Sequence, residues 1–375
     1  MAVDVDTLVL LVGAQPLPNY LAMATLRPRR VCFVHTGQTR DVASLLEKTA
    51  RERLGIAAGS LIPLPSATDG ASITRVIQTA PGTVHLNYTG GTKAMAVHAR
   101  LALFAKNADP RTASYVDDRS GHLLFDDGSA IPLQTAGLDM AALLELHGLT
   151  APGAEKEPLG PDPEDAARVA ARLIPHPELA QQLYERLKAW SGGGKSGGKG
   201  IDLSDLLPGI GPRDGWSSEA IEIWRRFLQG GWLEMWVESL VRTIVSSGQV
   251  RRGVHPKISE VRDFDIDVLA CRGHRAYAIE CTIDAELRLC KLKLFQVALR
   301  SRQLGGDLAR SALVCMIDGQ IREGERIELL QSDVRSLWDA PNVPRVFGLK
   351  HLRSWLGIGQ APGPDLTSLK CWLEE

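Results

Sequence analysis

The sequence predicts an α/β protein in two parts: a parallel, doubly wound sheet over residues 1–135 and a second α/β domain over residues 215–375. A helical, loop-rich stretch at 136–214 joins them. Three observations carry this reading. Short apolar runs alternate with helical ones through the first third of the chain. A Gly-Gly turn, Asn87-Tyr88-Thr89-Gly90-Gly91-Thr92-Lys93, leads from a strand into a helix. Downstream, Asp263-Phe264-Asp265-Ile266-Asp267-Val268-Leu269 alternates acid and hydrophobe with the period of a strand.

In chain order, Thr7–Val12 reads as a strand that exits into Gly13-Ala14-Gln15-Pro16-Leu17-Pro18-Asn19. Val31–Val34 is a second strand, followed by His35-Thr36-Gly37 and a helix from Arg40 to Leu54. Ser60–Leu64 is a third, with a helix from Asp69 to Thr79 behind it. Thr83–Leu86 leads into the Gly-Gly turn and then an Ala-rich helix from Ala94, apolar around most of its circumference and so expected to be buried. Thr112–Val116 and His122–Phe125 form a hairpin across Asp117–Gly121. In such sheets ligands sit beyond the carboxyl ends of the strands, near the point where strand order reverses. The loops 13–19, 35–40, 65–70 and 87–93 all leave carboxyl ends and should share one mouth.

The Gly-Gly turn has the chemistry of an anion pocket. Glycines let backbone N–H groups approach a ligand, the helix start contributes partial positive charge, and Thr89, Thr92 and Lys93 add donors. The alternative for the same residues is an ordinary Gly-rich βα turn. The spacing is neither GxxxxGK[ST] nor GxGxxG, which disfavours a P-loop and a dinucleotide-dependent dehydrogenase.

The chain has 375 residues, enough for two cores. With 44% hydrophobic and 23% charged residues it has an ordinary globular balance, and a net charge of −1 gives no global pull toward nucleic acid. The 6 cysteines form no CxxC pair or zinc spacing and read as reduced thiols, mostly small core residues. No basic signal segment and no membrane-length apolar run is present, so a cytoplasmic protein is expected.

Pro152, Pro158, Pro161 and Pro163 mark a linker, with short amphipathic helices at 166–173 and 177–190. A Gly-rich loop at 191–200 carries Lys195 and Lys199. The second domain opens near Trp216 with helical runs at 219–229 and 232–246, the latter holding Glu234 and Glu238 one turn apart. A turn centred on Arg272–Gly273 would set Asp265 opposite Glu280, with Asp267 diagonally adjacent and all three on one face. Carboxylates this close repel unless a cation lies between them, and Mg²⁺ or Mn²⁺ suits oxygen ligands. A solvated acidic face of an edge strand is the alternative.

Asp265-Ile266-Asp267-Val268, with Glu280-Cys281-Thr282 thirteen residues after Asp267, resembles the PD-(D/E)xK nuclease core, and Gly231-Trp232-Leu233-Glu234 resembles the helix before it. The 12–19 segment and the Asn87–Lys93 motif resemble the CRISPR-associated Rossmann fold, CARF. The whole chain is thus similar to the CARF–PD-(D/E)xK effectors of type III CRISPR systems. The resemblance implies a homodimer that binds a cyclic oligoadenylate, usually the tetra-adenylate. Gly13, Ala14, Gln15, Pro16, Leu17, Asn19, His35, Thr36, Asn87, Thr89, Gly90, Gly91, Thr92 and Lys93 would form the pocket. It also implies a metal-dependent endonuclease cutting single-stranded RNA or DNA, or nicking DNA. Asp267 and Glu280 would hold Mg²⁺ or Mn²⁺, with Asp265 and Glu234 as accessory ligands.

This sequence departs from the family pattern at Thr282, where a lysine is expected. Lys291 or Lys293, on the helix that follows, would have to supply the missing cation; their spacing of about 200° lets only one face the carboxylates. Two other readings stay open. In one, a degraded nuclease domain only binds nucleic acid or a partner; in the other, a ring nuclease uses His35, Thr36, Asn87 and Lys93 to linearise the cyclic ligand.

Overall fold

The structure is a computed structural model that describes residues 5–56, 58–149, 160–191, 201–211, 217–254, 257–259, 262–263, 265–317, 324–338, 342–359 and 363–374. Residues 192–200 of the expected Gly-rich loop at 191–200, and Pro152, Pro158, Trp216 and Phe264, lie outside them, while Ser191 ends a helix.

The N-terminal part runs β1 (Thr7–Leu11), α1 (Leu17–Leu26), β2 (Arg30–His35), α2 (Arg40–Leu54), β3 (Ala58–Pro63), α3 (Gly70–Thr79), β4 (Val84–Asn87), α4 (Lys93–Lys106), β5 (Ala113–Asp117), β6 (His122–Phe125), β7 (Ala130–Pro132) and α5 (Met140–Glu145). Its sheet has the order β3-β2-β1-β4-β5-β6-β7. The first five strands are parallel, and β6 and β7 add antiparallel at one edge. Every residue of β1 is buried, as a central strand covered on both faces requires. Chain order reverses between β1 and β4, so the 12–16 and 88–92 loops flank the switch point.

Contrary to the sequence expectation, α4 is not buried all round. Met95, Ala99, Ala102 and Leu103 face the core, where the helix packs on the sheet and against α3. Val97, Leu101 and Phe104 are 55%, 64% and 57% exposed, a stripe at i, i+4, i+7 that no layer among the described residues covers.

The rest of the chain runs α6 (Pro163–Leu173), α7 (Pro177–Ser191), α8 (Ser218–Arg226), α9 (Trp232–Ile244), β8 (Val250–Val254), β9 (Lys257–Ser259), β10 (Arg262–Asp263), β11 (Ile266–Arg272), β12 (Arg275–Thr282), α10 (Leu287–Gly305), β13 (Arg310–Cys315), α11 (Gly324–Leu337), β14 (Arg345–Phe347), α12 (Leu349–Trp355) and α13 (Thr367–Glu374). The second sheet has the order β14-β13-β12-β11-β8. A π turn, Phe227–Gly231, joins α8 to α9 across a kink at Gly230, whose φ of +157 is non-helical, so the two helical runs meet at Gly230-Gly231 as the sequence suggested.

On one face of this sheet, Val268, Ala270, Tyr277 and Ile279 pack against Trp232 and Trp236 of α9 and against Val169, Leu173, Leu183 and Leu187 of α6 and α7. The helices of the expected linker are therefore packed onto the second domain. On the other face, Leu269, Cys271, Ala276 and Ala278 share a core with α10 and with Leu17 and Leu21 of α1. The two sheets thus close on common apolar ground. Polar contacts at the seam include Leu138 N–H to Gly273 O at 3.1 Å and Arg275 Nη2 to Asp118 O at 3.1 Å.

Candidate functional site

At the N-terminal switch point the two glycine loops interlock. A Cβ on Gly90 would lie 2.2 Å from Leu11 O, and one on Gly13 would lie 3.0 Å from Gly91 N. Only glycine permits this contact. Asn19, fully buried in α1, donates from Nδ2 to Leu11 O at 3.1 Å and braces the same strand end. Asn87 Oδ1 accepts from Thr89 N and Oγ1 at 3.3 and 2.8 Å, and Thr89 Oγ1 accepts from Val116 N at 2.7 Å. Pro16, Leu17, Asn19, His35 and Asn87 are buried. Their placement makes them scaffold for the mouth. His35 Nδ1 lies 2.9 Å from Thr36 O, and Thr36 N–H donates to Thr39 Oγ1 at 3.1 Å. Ala14, Gly91, Thr92 and Lys93 remain exposed at the rim. Thr92 caps α4, its Oγ1 accepting from Met95 N at 3.3 Å, so the helix start and the Lys93 ammonium face open space together.

In the second sheet the hairpin pairs Arg272 with Arg275 and Val268 with Ile279. The turn is therefore Gly273-His274, one residue later than the sequence reading. Continuing the register sets Asp267, rather than Asp265, opposite Glu280. Asp265 falls just before β11. Because the slip is an even number of residues, the acids keep the same face.

Lys293 Nζ lies 2.8 Å from Glu280 Oε1, and Arg300 Nη1 lies 3.2 Å from Glu280 Oε2 and 2.5 Å from Asp265 O. Lys291 points away, to Asp333 at 2.8 Å on α11. Sequence reading missed Arg300, although it follows Lys293 by seven residues and so shares its helix face. Asp267 Oδ2 accepts from Cys281 N at 2.6 Å. Thr282 Oγ1 accepts from Asp284 N at 3.2 Å, so its hydroxyl shapes the turn after β12. Glu238 pairs with Arg242 at 2.8 Å and Arg252 at 3.5 Å, whereas Glu234 turns toward the other acids.

These groups perturb one another strongly. Burial pushes Asp267 up to about 8, helped by the Glu280 and Glu234 charges. Burial also raises Glu234, against the pull of Arg252 and with the push of Asp265 and Glu280. For Lys293 burial opposes the charge, but Glu280 outweighs it and the ammonium is held above its usual range. Two raised carboxylates side by side, Asp267 and Glu234, mark a place that a positive charge would stabilise. Oxygen donors of this kind fit a hard divalent ion, although among the described residues no three His, Cys, Asp or Glu side chains converge into a ready-made ligand set.

Glu234 and Lys293 line a cleft of ≈ 630 Å³, together with Thr282, Asp284 and Glu286 and with residues of α7 and the π turn. Its back wall connects to the N-terminal domain through α10. The last carbonyls of a helix have no partner within it. Here Gln15 Nε2, from the β1–α1 loop, donates to Arg302 O at 2.9 Å and Gln303 O at 3.2 Å, and His147 Nε2 donates to Leu304 O at 2.6 Å. Gly306, at φ +58, ends the helix beneath Gln15, 3.4 Å from where its Cβ would stand to Gln15 Cγ. No helix among the described residues is long and apolar enough to cross a membrane.

No family model and no curated protein sequence matches the chain. Solved structures share its fold. Protein VC1899 from Vibrio cholerae matches with a TM-score of 0.67 over 98% of this chain and 98% of that one, at 17% identity. Can2 from Sulfobacillus thermosulfidooxidans, in complex with cyclic tetra-adenylate, matches at 0.63 over 91% and 95%, at 20% identity. A type III CRISPR defence DNA nuclease activated by cyclic oligoadenylate matches at 0.56 over 100% of this chain and 52% of that one, at 18% identity. The chain therefore has the two-part α/β fold that the sequence resemblance implied.

Proposed function

We propose that this chain is a ligand-gated phosphodiesterase of antiviral CRISPR defence. A cyclic oligoadenylate, taken here as the tetra-adenylate, binds over the β1–β4 switch point of a homodimer and turns on an endonuclease that cleaves single-stranded RNA or DNA or nicks duplex DNA. The observation that carries the reading is Lys293 Nζ at 2.8 Å from Glu280 Oε1. It puts an ammonium beside the acids where Thr282 leaves none, which favours a working nuclease over a degraded one.

Asp267 and Glu280 would hold the divalent ion, with Asp265 and Glu234 beside them, and the ion would polarise the scissile phosphate and acidify a water. Lys293 stabilises the charge that builds on the phosphate, and Arg300 holds Glu280 from the opposite oxygen. Burial raises Glu234 and Asp267 above the usual carboxylate range, so a divalent ion would compete with protons for them and would bind more tightly as pH rises. The Gln15 link gives ligand in the first domain a physical hold on the helix that carries Lys293 and Arg300.

The test incubates the full chain with Mn²⁺ and a panel of cyclic oligoadenylates on single-stranded RNA, single-stranded DNA and supercoiled plasmid. Cleavage should require one ring size. It should vanish in Glu280→Gln and fall about a hundredfold in Lys293→Ala, while Lys291→Ala stays near normal. An inert protein that gains activity on Thr282→Lys would overturn the reading in favour of a degraded nuclease. Loss of the cyclic ligand without substrate cleavage would overturn it in favour of a ring nuclease.

A further inference from the structure

Part of the lining of the cleft that holds Glu234 and Lys293 comes from α7, a helix outside the expected catalytic core. Ala180, Leu183 and Leu187 are buried and fix this helix on the core of the second sheet. Pro177, Ala180, Gln181 and Tyr184, at i, i+3, i+4 and i+7, line the cleft. Thr282, Lys293 and the carboxylates Glu234, Asp284 and Glu286 line the same cleft, as do Gln229 and Gly230 of the π turn. Tyr184 is 45% exposed, the large aromatic side chain among the cleft's lining residues.

That exposure calls for a reason. Three apolar neighbours already anchor this helix, and nearly half of Tyr184 is left open to solvent. Held by that rigid helix at the edge of a polar cleft containing an ammonium, it has the layout of a single-stranded nucleic acid site. Such sites pair a cation for the phosphate with an aromatic face for the base. Gln181 and Gln229 line the same cleft with amide groups able to meet a base edge. Gln181 Nε2 donates to Glu185 Oε1 at 3.0 Å and Arg225 Nη1 donates to Gln229 Oε1 at 3.2 Å, so each amide keeps one polar end uncommitted in these bonds.

We infer that Tyr184 is a base-stacking platform: an unpaired nucleotide next to the scissile phosphate stacks on its ring while Lys293 meets the phosphate. This rests on the nuclease reading for its biological meaning, and it gives a chain of near-zero net charge a contact with nucleic acid that does not depend on charge. It also implies a preference for unpaired over duplex substrate, because a base within a duplex already stacks on its neighbours.

The experiment measures binding separately from cleavage. Fluorescence anisotropy follows a labelled single-stranded oligonucleotide with the full chain in EDTA plus cyclic tetra-adenylate, for wild type, Tyr184→Phe and Tyr184→Ala. The same oligonucleotide carrying one abasic site is run in parallel. Tyr184→Phe should bind as wild type. Tyr184→Ala should weaken binding about tenfold, the abasic oligonucleotide should bind wild type about tenfold more weakly, and the two losses should not add. Equal binding by wild type and Tyr184→Ala, additive losses, or no binding by wild type would each overturn the platform. Normal stacking behaviour with no cleavage in Mn²⁺ would sink the nuclease reading while leaving the platform standing.

Discussion

Burial and two neighbouring acids hold Asp267 near 8, far above the usual carboxylate range, and this has a thermodynamic consequence. The folded chain binds the Asp267 proton more tightly than the unfolded chain does, for which a pKa of about 3.9 applies. The stabilisation is complete below the unfolded value and is lost as pH rises through the folded one. In metal-free protein the melting temperature should therefore fall between about pH 4 and pH 8. Asp267→Asn, a shape match for the protonated acid, should flatten that fall and melt higher than wild type at pH 8. Thermal denaturation in EDTA at both pH values checks this; parallel pH profiles for the two proteins would mean that Asp267 titrates normally. The same residue marks how far sequence reading reaches. Strand alternation placed Asp265, Asp267 and Glu280 on one face, but it did not fix the register. Arg272-Gly273 and Gly273-His274 are both plausible turn centres, and the structure chooses the second, with φ +63 at Gly273 as the first central residue of a type II′ turn.

At the scale of elements, α10 does the joining. Near its start it brings Lys293 to Glu280, two turns later it brings Arg300 to the same side chain, and its final carbonyls are held by Gln15 and His147. The helix itself was legible, as were the strand alternation and the Gly-Gly turn, because local spacing encodes them. Its end contacts were not. Gln15 and Arg302 are 287 residues apart, and nothing in a Gly-Ala-Gln-Pro loop announces a partner at that distance. The sequence reading assigned Gln15 to the ligand pocket, and the structure turns its amide onto α10. The expected outcome for Gln15→Ala is a ligand affinity within about twofold of wild type, since the amide is spent on helix carbonyls, and a maximal ligand-stimulated cleavage rate several-fold lower. Two lost hydrogen bonds at about 1 kcal/mol each set that scale. Calorimetry and initial rates separate the two quantities. A loss of affinity with an unchanged maximal rate would return Gln15 to the pocket.

At the scale of the whole molecule, the exposed stripe of α4 becomes informative. Val97, Leu101 and Phe104 begin one turn after Lys93, so the apolar surface runs directly from the rim of the switch-point mouth. A second copy paired across this stripe about a two-fold axis would bury it and bring two Gly-Gly loops and two Lys93 ammoniums to one pocket. A ring ligand with two-fold symmetry then meets each loop twice. The sequence reading took the apolar character of α4 for burial within its own chain, an error the composition of a helix invites, because an interface helix and a core helix are apolar for the same reason. Leu289, Leu292 and Leu299, at 40%, 54% and 60% exposure, form a second apolar surface on α10. The two stripes give competing expectations. The double substitution Leu101→Glu, Phe104→Glu changes only exposed side chains and should leave circular dichroism unchanged. Light scattering should show it monomeric, and its affinity for cyclic tetra-adenylate should fall at least tenfold because each chain then offers half a pocket. A variant that stays dimeric would shift the interface to α10. A monomer that binds the ring as tightly as wild type would mean that one switch point suffices, and the two-fold pocket would have to be abandoned.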